Sequence, residues 1–80
     1  MESQVKERLM AEFGDAADVE VVVDGNRALI RIVADAFANL SRVKRQQRVY
    51  GCIGDLIASG DLHAVTIQAA TPEEAAQRDS

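Results

Sequence analysis

Val5, Leu9 and Phe13 recur every four residues, with Lys6, Glu7, Arg8 and Glu12 between them. That spacing puts one apolar stripe on a helix of about three turns. Ser3 is placed to cap its start, and Gly14 to close its end in the left-handed conformation. The pattern then changes: Val19-Glu20-Val21-Val22-Val23 and Ala28-Leu29-Ile30-Arg31-Ile32-Val33 are dense in β-branched residues. Their stiff side chains suit a pleated surface, so both runs are predicted strands. Between them lies Asp24-Gly25-Asn26-Arg27, where Gly25 and Asn26 tolerate positive φ, and the strands are expected to pair as an antiparallel hairpin.

Asp35 to Leu40 has little periodicity and is expected to form a loop or a single helical turn. Ser41 then caps a longer helix running to about Ser59, on which Val49, Tyr50, Ile53, Leu56 and Ile57 share one face. Gly51 and Gly54 fall inside that helix, where each costs about 1 kcal/mol relative to alanine. Close packing of the helix on a sheet is the expected use of them. After Gly60-Asp61, the residues His63, Val65, Ile67 and Ala69 alternate with Ala64, Thr66 and Gln68, the period of a strand with one face in the core. Thr71-Pro72-Glu73-Glu74 starts a last helix, with threonine as cap, proline at the first position and Glu74 completing a capping box. The tail from Gln77 is expected to fray.

The element order is thus αββαβα. A hairpin pairs antiparallel, whereas a crossover helix returns its strand parallel to a neighbour. The fold class is therefore α+β, a three-stranded mixed sheet covered by helices, with residues 1–80 forming a single domain.

Charge adds the next feature. The chain of 80 residues carries a net charge of −4, which works against indiscriminate binding to nucleic acid or anionic membranes. Yet four of its nine Lys and Arg residues, Arg42, Lys44, Arg45 and Arg48, fall within one helical stretch that holds no acid. Spacings of three and four gather them on the helix's outer side. Such a face can grip phosphates as a DNA-binding regulator would, or it can be a solvated face or an edge that meets an acidic protein. No apolar run approaches the ~20 residues of a membrane span, the N-terminus does not read as a secretory signal, and a single cysteine, Cys52, forms no internal disulfide. The expected location is cytoplasmic.

Candidate chemistry is sparse. His63 is the one histidine, and reads either as a hydrogen-bonded structural residue or as a metal ligand. Cys52 reads as a small buried hydrophobe and has no zinc-module spacing to His63. Gly51-Cys52-Ile53-Gly54 spells the glycine pair of KH domains, but within a helix and without a basic residue, so the match is coincidental. No nucleophile–base pair, phosphate loop or pair of poised carboxylates is present, so neither an enzyme nor a small-molecule substrate is expected.

Ser41-Arg42-Val43-Lys44-Arg45-Gln46-Gln47-Arg48-Val49-Tyr50, Leu62-His63-Ala64-Val65-Thr66-Ile67 and Thr71-Pro72-Glu73-Glu74 together resemble the BolA family. The Arg45-Gln46-Gln47 form is similar to its IbaG branch. The resemblance implies a KH-like fold and a monothiol glutaredoxin as partner. It also implies a role in iron–sulfur cluster trafficking or iron homeostasis, some members being DNA-binding regulators linked to stress. It makes His63, in the partner-binding Leu62-His63-Ala64 segment, a ligand to a [2Fe-2S] cluster shared with the glutaredoxin, whose cysteine and glutathione supply other ligands. The family's second ligand, a hairpin-loop His or Cys, aligns with Arg27, and a protonated guanidinium cannot replace it. An apo complex or a more weakly held cluster is the corresponding expectation.

Overall fold

The N-terminal apolar stripe folds as α1, Glu2–Phe13, with Val5 and Leu9 fully buried. In the structure, a computed structural model that describes residues 1–78, the helix starts earlier than the stripe suggests. Met1 is the N-cap residue and no side chain caps the helix, so Ser3 lies in the first turn and not ahead of it. Gly14 closes the far end at φ 90°, donating its N–H to the Met10 carbonyl at 2.8 Å.

Strands β1 (Asp18–Asp24) and β2 (Arg27–Val33) pair antiparallel with Asp24 opposite Arg27. The loop is therefore Gly25-Asn26 alone. Gly25 takes φ 62° while Asn26 stays at negative φ, the pattern of a type II′ turn, which twists with the strands it joins. A 3₁₀ turn at Asp35–Phe37 follows and buries Phe37 completely, its ring centroid 5.0 Å from that of Phe13. The next helix, α2, spans Arg42–Ala58, with Ser41 Oγ accepting the Lys44 N–H at 3.2 Å as the predicted cap.

Strand β3, Ala64–Ala70, returns parallel to β2, giving the mixed order β1-β2-β3. The last helix, α3 (Pro72–Arg78), opens with the reciprocal capping box: Thr71 N–H donates to Glu74 Oε1 at 2.8 Å, and Glu74 N–H to Thr71 Oγ1 at 3.2 Å. Gln77 and Arg78 belong to this helix; the rest of the expected frayed tail, Asp79 and Ser80, lies outside the described residues.

Helices α1 and α2 cover one face of the sheet, where Val19, Ala28, Ile30, Ile32 and Ile67 meet Val49, Ile53, Leu56 and Leu62. Glu20, Val22, Arg31, Thr66 and Gln68 stand exposed on the other face. The apolar face of α2 is narrower than its sequence suggests. Val49 and Ile53 are sealed, but Tyr50 and Ile57 are each 37% exposed at its margin. The two glycines overturn an expectation: a Cβ at Gly51 or Gly54 would meet nothing within 4 Å. They point away from the core by more than about 130° in helical projection, so they do not serve helix-on-sheet packing.

Candidate functional site

The turn between α2 and β3 fixes His63. Gly60 turns the chain at φ 86°, and Leu62 anchors it with a fully buried side chain and an N–H donated to the Leu56 carbonyl at 3.2 Å. His63 N–H then donates to the Asn26 carbonyl at 2.8 Å, with Ala64 N–H reaching the same oxygen at 3.4 Å. The backbone of the hairpin loop thus holds the histidine one residue before the strand begins. Asn26 has no chemical signature in the sequence; its role is set by the register that places Arg27 opposite Ala64.

The imidazole itself is exposed and makes no hydrogen bond among the described residues. Its Nε2 lies 3.7 Å from where a Cβ on Gly60 would stand, at the C-terminal end of α2. This disposes of a sealed, backbone-bonded histidine: the main chain is tied down, and the ring is presented. An exposed, rigidly based imidazole is a competent metal ligand. It is also a solitary one. Among the described residues no group of three or more His, Cys, Asp or Glu side chains could hold a metal ion.

The neighbours explain the shortage. Arg27, first residue of β2, is exposed beside the loop and offers a permanent cation in place of a donor. Cys52 is half-buried where α2 meets α1, close enough to Arg8 for its carbonyl to accept from that guanidinium at 3.5 Å. Roughly 10 Å of helix separates it from the Gly60 end. Burial, then Glu12, push its thiol pKa up, against the opposing pull of Arg48, so it is a poorer thiolate than an ordinary cysteine. Cys52 does not join His63.

The four cations of α2 do not form the single outer face that their spacing suggests. Arg45 turns toward α3, where its guanidinium grips Glu74 through two bonds of 2.6 and 3.3 Å and its Nε donates to the Leu40 carbonyl at 3.1 Å. Arg48 turns toward α1, pairing with Glu12 at 2.9 Å and lying 5.1 Å over the Phe13 ring. Arg42 and Lys44 are exposed and make no ion pair among the described residues. Glu74, held by Arg45 first and by the Thr71 N–H second, has its pKa drawn from the ordinary 4.5 down to about 2. Arg8 and Asp55 form a further α1–α2 ion pair, which holds the Asp55 carboxyl below its usual range.

The comparisons with known proteins bear on the family and the fold. Residues 25–74 match the family described as BolA-like protein. A protein from the rpoN-murA intergenic region of Acinetobacter guillouiae is 47% identical over 73 residues, covering 89% of this chain and 84% of its own. The acid stress protein IbaG of Escherichia coli K12 is 44% identical over 57 residues, covering 71% and 68%. Among solved structures, BolA1 from Arabidopsis thaliana superposes with a TM-score of 0.81 at 26% identity, covering 91% of this chain and 93% of that one. The matched segment runs from the hairpin loop through the cationic helix and His63 to Glu74, and the three-stranded mixed sheet with its helices is shared. The chain belongs to the BolA-like family.

Proposed function

We propose that the protein is a non-catalytic adaptor that docks with a monothiol glutaredoxin and takes part in [2Fe-2S] cluster trafficking, with His63 as its ligand to the shared cluster. One observation carries the reading: the His63 ring is exposed on a backbone that Leu62 and Asn26 hold in place. Because the base is fixed, little conformational entropy remains to be lost when the imidazole meets iron. Leu62 supports that base, while His63 and Ala64 face the partner. A lone donor suits a cluster whose other ligands belong to the partner, and the cluster is then cargo, readily passed on. The missing second donor at Arg27 points the same way, toward a labile shared cluster.

The test mixes the protein with cluster-loaded glutaredoxin and follows the visible circular dichroism. The expected result is a new cluster spectrum at equimolar mixing that His63→Ala does not produce. A His63→Ala variant that changes the spectrum as the parent does overturns the reading. The DNA-binding alternative is less well supported. Of Arg42, Lys44, Arg45 and Arg48, two spend their charge on Glu74 and Glu12, and duplex binding draws its affinity from cations free to replace counterions.

A further inference from the structure

We propose that the groove between the first half of α2 and the free edge of β3 binds a short acidic segment of a partner protein in extended form. The groove encloses about 600 Å³ and is lined by Arg42, Arg45, Gln46, Ile67, Gln68 and Glu74, among others. β3 is the last strand in the order β1-β2-β3, so one side of it has no strand partner. Which residues face that side follows from two bonds: Ala64 N–H donates to Asn26 and Ala70 C=O accepts from Ala34 N–H at 3.0 Å. The backbone N–H and C=O of even-numbered residues therefore point to β2, and those of Val65, Ile67 and Ala69 point to the free edge, while the Ile67 side chain stays in the core.

Side chains from α2 close both ends of this edge. Tyr50 O–H donates to the Val65 carbonyl at 3.4 Å, and Arg45 Nη1 reaches the Ala69 carbonyl at 3.5 Å. Between these stops the edge-facing N–H and C=O of Ile67, a residue only 8% exposed that lines the groove, have no partner among the described residues. An unpaired edge amide and carbonyl are the elements that strand addition uses, and the two stops limit the added strand to a few residues in one register.

The charge at the groove selects the occupant. Arg45 is answered by Glu74, whereas Arg42 has no acid partner among the described residues, so the lining is left with one positive charge on a chain of net −4. A guanidinium pairs with a carboxylate through two parallel bonds, and the Gln46 and Gln68 amides add donors and acceptors nearby. A single unpaired guanidinium among the described lining residues suits a carboxylate side chain better than a run of phosphates. His63 lies at the opposite end of β3, roughly 13 Å of strand from Ile67, so this site stands or falls independently of the iron–sulfur reading.

The experiment is a titration of ¹⁵N-labelled protein with a capped Val-Glu-Val-Asp-Val peptide, read at the backbone amides and the glutamine side chains. Its arms use the same peptide with Gln and Asn as the polar residues, inorganic phosphate, and a short DNA duplex. The expected result is a saturable shift of the Ile67 amide with the acidic peptide and about tenfold weaker binding of the neutral one. Arg42→Gln, which leaves the melting temperature unchanged, weakens the acidic peptide by a similar factor. An unshifted Ile67 amide, equal affinity for the neutral peptide, or displacement of the peptide by phosphate or DNA overturns the proposal.

Discussion

Replacing Gly51 and Gly54 together by alanine is expected to stabilise the protein substantially. Both glycines sit inside α2, neither has positive φ, and an added Cβ meets nothing within 4 Å at either position. With no steric cost to offset the gain, helix propensity decides the sign. Alanine is favoured by about 0.8–1.0 kcal/mol at each site, or about 2 kcal/mol for the pair. In a domain of this size each kcal/mol moves the midpoint by about 4–8 °C, so the double variant is predicted to melt about 8–16 °C higher. Thermal unfolding followed by circular dichroism at 222 nm measures this, with urea unfolding as a check that the slope is unchanged. A rise of less than about 3 °C, or a fall, refutes the conclusion that this side of α2 is open in the free protein.

Other expectations bear on the core, the ion pairs and the site. Phe37→Ala removes a fully buried ring packed on Phe13 and is expected to cost about 3–5 kcal/mol in chemical denaturation, a large share of the roughly 4–12 kcal/mol that a chain of this length commands. Glu74→Gln tests the link between α2 and α3. A carboxylate whose folded pKa of about 2 lies below its ordinary 4.5 stabilises above the higher value and loses that contribution as pH falls toward the lower one. The stability difference between parent and variant is therefore predicted to be flat above about pH 5.5 and to shrink between about 4.5 and 2; a difference that stays constant down to pH 2 contradicts the assignment. Arg27→His puts a second imidazole beside His63 and is expected to lengthen the lifetime of the cluster shared with glutaredoxin, measured by the decay of its visible absorbance.

Much of the architecture could be read from periodicity because each buried face repeats at its element's own spacing. Val5 and Leu9 on α1, and Val49, Ile53 and Leu56 on α2, lie where the sequence puts them. Phe37 escaped because an isolated aromatic in an unpatterned stretch announces no face, and its burial depends on Phe13, far earlier in the chain. The cap of α1 escaped because Ser3 has the right chemistry two residues too late. The cationic cluster is visible in the sequence, but its single outer face is not what forms. Spacing fixes the angles around the helix, while the acids that redirect Arg48 and Arg45 lie 36 and 29 residues away. His63 shows the same limit: alternation places it in the third strand, but its bond to Asn26 and its exposure come from the hairpin packing alongside.

The most direct test of the adaptor reading is electron spin-echo spectroscopy of the reduced [2Fe-2S] cluster formed by glutaredoxin with this protein, its histidine labelled with ¹⁵N. The account predicts a nitrogen coupling characteristic of one directly bound imidazole, changed by the isotope and lost in His63→Ala. A spectrum identical with and without His63 would contradict it.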